Sequence, residues 1–290
     1  MTVLELIQRS AEYLAKKGVD SPRLQAELLL AFLLKMPRMQ LYLNFERVLS
    51  SSELDQFRDL VKRRGQREPL QHIVGSASFC GLEIIVNRQV LIPRAETELL
   101  AEMGWKFLND ITSSVGHGAG SPVALDFGTG SGCLAVALAT KCPTAKVHAL
   151  DISKEALEVA RQNASRHGLT DRIQFWLGDG LAGLPGEQEF NLIIGNPPYV
   201  PSDEIEVLQP EVSDYDPHTA LDGGPDGLNH YRSLAARAGQ HLRPGGRIML
   251  EFGDEQQERV QQIFAGEKWI VEKIIEDYTR RPRIIIARKN

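Results

Sequence analysis

The chain has 290 residues and ordinary apolar content, enough for one large domain or a medium one beside a small one. No apolar run approaches the roughly 18 residues that cross a bilayer, and a net charge of −5 argues against a long nucleic acid gripped through its phosphates. Three cysteines (Cys80, Cys133, Cys142) are too few for a disulfide framework, and Met1-Thr2-Val3-Leu4-Glu5 lacks the basic cap and apolar stretch of a secretion signal, so reduced thiols in a cytoplasmic protein are expected.

The N-terminal part reads as helices. Ser21-Pro22 opens one, with Ser able to cap and Pro tolerated at the first helical position; Leu24, Ala26, Leu28, Leu29, Phe32 and Leu33 then recur at helical spacing through Leu34. Ser51-Ser52-Glu53-Leu54 opens another, running through Phe57, Leu60 and Val61. Without strand-like alternation here, residues 1–75 are expected to form a small helical domain. Further on, Phe79 to Val86 and Gln89 to Ile92 flank the turn-prone Asn87-Arg88, which predicts a β-hairpin linker over 76–94. A helix from Glu96 to Asn109 and a Gly- and Ser-rich loop from Thr112 to Ser121 follow.

From Val123 onward, strands and helices alternate. The strands are expected at Val123–Phe127, Lys146–Asp151, Ile173–Leu177, Phe190–Gly195, Arg247–Phe252, Ile270–Ile275 and Arg283–Ala287, with helices such as Gly132–Lys141, Lys154–Gly168 and Leu228–His241 between them. Such alternation predicts a parallel, doubly wound α/β sheet. The short segment Glu276–Pro282 cannot hold a crossover helix, so the strands it joins must run antiparallel.

The first βα turn reads Asp126-Phe127-Gly128-Thr129-Gly130-Ser131-Gly132. Glycines permit a tight turn and let a ligand lie on the backbone, and the spacing is G-x-G-x-G rather than the G-x-G-x-x-G of dinucleotide binders. Asp151 ends the second strand, where an acidic side chain can accept both hydroxyls of a ribose, though it could also merely cap the next helix. Gly178-Asp179-Gly180 ends the third, at the height of an adenine.

The fourth strand delivers Asn196-Pro197-Pro198-Tyr199. A planar NH2 group gives its lone pair to the adjoining π system and attacks a sulfonium methyl only when both N–H bonds are held. The Asn196 side-chain oxygen can accept one and the Pro197 carbonyl the other. Two prolines stiffen these acceptors, and Tyr199 offers a flat face for stacking. Placement of the reactants, rather than a strong base, would carry such a reaction.

Taken with four further segments, these residues closely resemble the release-factor glutamine methyltransferases of the PrmC (HemK) type, over nearly the whole chain. The segments are Ser21 to Glu27, Glu68 to Gly75, Leu91 to Glu98 and Ala220 to Leu228. The resemblance implies a class I fold, with a seven-stranded Rossmann-like sheet whose last strand is antiparallel and a helical N-terminal domain joined by a β-hairpin linker. It makes residues 95–290 the S-adenosylmethionine-dependent domain, with S-adenosylhomocysteine as product. Gly128, Thr129, Gly130, Ser131, Gly132, Asp151, Asp179, Gly180 and Asn196 would contact cofactor; Asn196, Pro197, Pro198 and Tyr199 would hold substrate and form the catalytic corner. The implied partner is a class 1 peptide chain release factor, methylated on the glutamine of its Gly-Gly-Gln tripeptide, with the helical domain helping to bind it. Neither nucleic acid nor membrane is expected as a partner; the oligomeric state stays open, a monomer being favoured. A nucleic-acid adenine or guanine N-methyltransferase and a ribosomal-protein glutamine methyltransferase share much of this pattern; Glu96-Thr97-Glu98 resembles the release-factor branch. Where some relatives carry an aromatic after the third-strand Asp, this chain has Gly180, leaving Trp176 or another apolar neighbour to stack on adenine.

Other features read more plainly. Lys62 to Arg67 could form a docking patch for an RNA-rich partner surface, but a solvated basic helix end is the better reading, and Arg280 to Arg283 is expected to be an exposed turn. The seven histidines lack ligand spacing, so no metal site is expected. Cys133 is taken as helix packing, Asp222 and Asp226 as turn-forming, and Glu251 as lining the pocket or capping a strand edge.

Overall fold

The computed structural model describes residues 1–114, 120–184, 186 and 188–290. Residues 115–119, which include His117 and half of the expected Gly- and Ser-rich loop, lie outside the described residues. The chain forms two compact units: Met1–Ser76 with Gln209–Tyr215, and Ala77–Leu208 with Asp216–Asn290.

The first unit contains α1 (Val3–Lys16), α2 (Pro22–Leu34), α3 (Arg38–Leu43), α4 (Ser51–Gly65) and α5 (Leu70–Val74). Capping boxes start α1 (Thr2 with Glu5) and α4 (Ser50 with Glu53), each satisfying two backbone N–H groups that the first turn leaves free. Ser21 does not cap α2; it sits at φ 49 and its hydroxyl makes no cap bond. Ile7, Leu14, Leu29, Leu30, Leu41 and Phe57 fill the core. The basic stretch after Val61 is not a solvated end. Arg64 is buried and donates to Gln25, to the Glu68 carbonyl and, at 2.8 Å, to Glu211; Arg67 also pairs with Glu211, and Arg63 with Glu68. The Glu211 carboxylate lies 147 positions from Arg64, so no local pattern announces that pair.

β1 (Ser76–Phe79), which starts on the last residue of the first unit's opening segment, and β2 (Leu82–Ile85) form the hairpin. Its turn is Cys80-Gly81, at φ 52 and 76, the paired left-handed conformation that a two-residue hairpin requires. Asn87-Arg88 is therefore not the hairpin turn, and Gln89–Ile92 is not a strand: the Asn87 side chain accepts the Gln89 N–H, while Val90 and Ile92 enter the core as irregular chain.

The rest of the chain runs through α6 (Ala95–Ser114), β3 (Val123–Phe127), α7 (Cys133–Lys141), β4 (Lys146–Asp151), α8 (Lys154–Arg166), β5 (Ile173–Leu177) and β6 (Phe190–Gly195). After α9 (Pro210–Ser213), which belongs to the first unit, come α10 (His218–Leu221), α11 (Asn229–Arg237), β7 (Leu242–Glu251), α12 (Gln257–Gly266), β8 (Trp269–Glu276) and β9 (Pro282–Lys289). The seven-stranded sheet has the order β5-β4-β3-β6-β7-β9-β8, with β9 antiparallel to both neighbours. Alternate residues feed opposite faces: Ala124, Leu192, Ile194 and Met249 join one core, Leu125, Ile193, Ile248 and Leu250 the other. The tight turn before β9 is held by the Asp277 carboxylate, which accepts from the backbone N–H groups of Thr279 and Arg281 and from the side chain of Arg283. Arg280 and Arg281 are exposed, as expected of a turn, with Arg281 paired to Asp254, whereas Arg283 is drawn in against Asp277. Among the described residues no helix is long and apolar enough to cross a membrane.

The chain leaves β3 toward β4 and β5, then returns to the other side of β3 with β6. At that reversal the carboxyl ends of β3 and β6 part, and open α/β sheets bind ligands in the crevice so formed.

Candidate active site

A cleft opens there, lined by Phe127, Gly128 and Gly130 at the end of β3, Asp151 and Ile152 at the end of β4, Gly178 to Gly180 after β5, and Asn196 and Pro198 after β6. Gln89, Val90, Pro217, Thr219, Ala220 and His230 are also among its lining residues.

Three glycines of the β3 turn lie at positive φ, 68 at Gly128, 53 at Gly130 and 78 at Gly132. Side chains at Gly128 or Gly130 would project into open space, whereas a Cβ at Gly132 would come within 2.9 Å of the Ala160 Cβ. The first two thus keep backbone bare toward the cleft, and the third lets α7 approach α8. Thr129 and Ser131 are buried and do not line the cleft: the Thr129 hydroxyl donates to Asp126, and the Ser131 carbonyl accepts from Asn163.

Asp126 organises this turn from beneath. One of its oxygens accepts from the Thr129 hydroxyl at 2.6 Å and from the Ala135 N–H at 3.0 Å. Its other oxygen has no partner, and complete burial pushes the carboxyl up to about 7 against the pull of those bonds. Asn163, fully buried, binds both backbone groups of Ile85 and the Ser131 carbonyl, fastening the end of β2 to the glycine turn. Nothing in the spacing singles out either residue.

Asp151 accepts the Gly130 N–H at 2.8 Å with one oxygen and the Ser153 N–H at 2.9 Å with the other. It is both a brace for the glycine turn and part of the entry to α8, and a carboxylate, with about four lone-pair sites, has acceptor capacity beyond these bonds. Burial raises its pKa, opposed by these backbone bonds. Trp176 does not line the cleft; its indole N–H donates to His148 and the ring packs into the core. The exposed apolar side chain on the wall is instead Ile152.

Two protein families match this chain, "PrmC N-terminal domain" over residues 5–75 and "Methyltransferase small domain" over residues 113–209. It is 43% identical over 264 residues to the release factor glutamine methyltransferase of Geobacter sulfurreducens, spanning 91% of this chain and 88% of that protein. The chain belongs to the release factor glutamine methyltransferases. The protein of that name from Chlorobaculum tepidum is 40% identical over 285 residues, 97% of this chain and 95% of the other. Among solved structures, a ribosomal protein L11 methylase from Lactobacillus delbrueckii subsp. bulgaricus shares the fold, with a TM-score of 0.50, 20% identity and coverage of 71% of this chain and 86% of that one.

In this member of the family, Asn196 follows β6 directly. Gly195 has no room for a side chain, since a Cβ would lie 2.5 Å from the Phe127 carbonyl oxygen; the β6 end is thereby pressed against the β3 end. The Asn196 Nδ2 donates to the Thr97 hydroxyl at 3.3 Å, while Oδ1 is buried without a partner. Thr97 donates in turn to Glu251 at 2.7 Å. Pro197 is buried, and Pro198 and Tyr199 are half-buried. The Tyr199 carbonyl accepts from Gln256 at 2.9 Å, and the Gln256 oxygen accepts the Gly253 N–H, so the corner is buttressed from the end of β7. Burial, with Glu251 nearby, pushes the Tyr199 hydroxyl up to about 12; it remains neutral. Of the corner, Asn196 and Pro198 line the cleft, and Pro197 and Tyr199 are not part of that lining.

Asp222 and Asp226 do shape turns: Asp222 accepts from Ser202 and the Gly224 N–H, and Asp226 pairs with Arg232 and Arg259. Glu251 is buried rather than on the cleft wall.

Proposed function

We propose that this chain transfers a methyl group from S-adenosylmethionine to the side-chain amide nitrogen of the glutamine in the Gly-Gly-Gln motif of class 1 peptide chain release factors, in the cytoplasm. The supporting observation is the buried, unpartnered Oδ1 of Asn196 beside a cleft whose other walls suit a nucleoside. A buried acceptor without a donor is costly, and it is tolerated where a ligand supplies the missing N–H.

The walls fit the cofactor. Bare backbone at Gly128 and Gly130 would admit close approach of its amino-acid part, Asp151 has acceptor capacity left for ribose hydroxyls, and Asp179 with Gly180 lines the part of the cleft after β5 where the adenine would lie. Ile152 supplies the apolar surface that Trp176 does not. Thr129, Ser131 and Gly132 shape the turn and hold it rigid.

Bound S-adenosylmethionine supplies a methyl group on a sulfonium centre, the electrophile of the reaction. Asn196 Oδ1 accepts one N–H of the glutamine amide and the Pro197 carbonyl the other, which turns the nitrogen lone pair toward that methyl. Pro198 keeps the acceptors from swinging, and Tyr199 backs the planar amide. Fixing both partners in near-attack geometry supplies most of the acceleration; as the nitrogen gains the methyl, sulfur keeps the S–C electron pair as a neutral thioether and the displaced amide proton leaves to water, neutral Tyr199 serving as no base.

A labelled methyl-transfer assay tests this directly, with a release factor, a ribosomal protein and nucleic acid offered side by side. Label in the release factor glutamine is expected, and its loss in Asn196→Ala. Label confined to nucleic acid or to the ribosomal protein would end the reading.

A further inference from the structure

The Asn196 amide can face either way. Its two ends differ by little in shape, yet only one orientation presents an acceptor to the substrate N–H. What decides between them lies behind the corner, in residues that touch neither cleft nor substrate.

Thr97, buried in the first turn of α6, stands between Asn196 and Glu251. A hydroxyl has one proton. An ionised carboxylate can only accept, so the Thr97 proton is committed to Glu251, at 2.7 Å. The hydroxyl oxygen is then left with lone pairs alone, and only the NH2 end of Asn196 can satisfy it, at 3.3 Å.

We propose that Thr97 and Glu251 are positioning residues that set the orientation of the Asn196 amide, pinning Nδ2 to the protein and reserving Oδ1 for the glutamine N–H. The proposal rests on Asn196 being the amide holder. It also makes the corner sensitive to the charge of Glu251. A protonated Glu251 donates to Thr97, the Thr97 proton turns toward Asn196, and the amide that suits it is flipped, with NH2 toward the substrate.

The surroundings of Glu251 keep that proton within reach. Burial pushes the carboxyl up to about 7; the Thr97 bond pulls it down, Glu96 pushes up, and Arg283 and Arg94 pull down. From α11 the Tyr231 hydroxyl donates to the Glu251 backbone carbonyl, not its carboxylate, and both Tyr231 and Tyr199 stay neutral. Above the midpoint the carboxylate holds the productive amide; as pH falls through it, the productive population shrinks.

Thr97→Val keeps the shape and removes the hydroxyl; it should lower kcat about 10- to 100-fold, the range for leaving a buried polar group unpaired. Thr97→Ser should restore most of the rate. Affinity for S-adenosylhomocysteine, by calorimetry, should be unmoved in both. The wild-type rate should show a one-proton acid limb near pH 7, absent in Glu251→Gln. A readout free of turnover is the side-chain NH2 resonance pair of Asn196, assigned by its loss in Asn196→Asp. It should titrate with pH in the wild type and stay fixed in Glu251→Gln.

Wild-type kcat in Thr97→Val, failure of Thr97→Ser to recover activity, or an acid limb that survives in Glu251→Gln each overturns the proposal. If Asn196→Ala is inactive in the same assay, the loss is confined to the relay. If Asn196→Ala is fully active, the reading of the corner falls with it. The resonance titration decides the matter even if Thr97→Val does not fold.

Discussion

Asp151 Oδ2 accepts the Gly130 N–H at 2.8 Å, so the end of β4 fastens the turn after β3 across the floor of the cleft. One carboxylate thus serves the protein and keeps lone pairs for a ligand. Asp151→Ala is expected to weaken S-adenosylhomocysteine binding about 10- to 100-fold, the value of hydrogen bonds to a charged acceptor. Calorimetry checks this; unchanged affinity would reduce Asp151 to its part in starting α8.

Gly130 and Gly132 separate binding from stability. Gly132→Ala sets a Cβ against Ala160 at positive φ, and thermal unfolding should show a loss of about 1–3 kcal/mol. Gly130→Ala meets only the Gly128 carbonyl oxygen, at 4.0 Å, so its cost should be nearer the ~1 kcal/mol of left-handed strain. Its main effect should be lost cofactor affinity, because the new methyl occupies the bare cradle. Equal effects of the two variants on both measurements would contradict this division.

Glu211 neutralises two arginines of the helical unit. Burial raises its pKa, but Arg67 and Arg64 outweigh burial and hold it below the ordinary 4.5. A carboxyl with a lower pKa folded than unfolded binds fewer protons when folded. Its stabilisation is therefore present above pH 4.5 and lost as pH falls below it. Glu211→Gln leaves Arg64 buried and uncompensated, and should cost about 3 kcal/mol at pH 7 in urea unfolding. The gap to wild type should narrow in acid; a constant gap would point to packing rather than charge.

The cysteines should be inert. Burial pushes the Cys80 thiol up to about 12, with Glu98 adding to it, and burial raises Cys133 further. Iodoacetamide at pH 8 and native temperature should leave activity intact and label little; rapid inactivation would contradict the raised, unreactive state of Cys80 and Cys133.

Contiguous signals were legible in the chain itself. The four strands from Val123 to Gly195 have the bounds their apolar runs announce, and the glycine turn, Asp151 and Asn196 converge on one cleft because each ends a parallel strand. The antiparallel final strand followed from a connection too short for a helix. The hairpin was read one turn too late because Asn-Arg has the composition of a turn, whereas Cys80-Gly81 has the left-handed backbone.

Tertiary structure alone decided the rest. Arg64 looked solvated because its carboxylate partner is 147 positions away. Ile152 rather than Trp176 faces the cleft because His148, on the neighbouring strand, takes the indole N–H. The free oxygen of Asn196 depends on Thr97, 99 positions distant, and through it on Glu251. Local composition carries backbone preference and strand order; the direction of a buried hydrogen bond depends on which donors and acceptors the fold brings to one point.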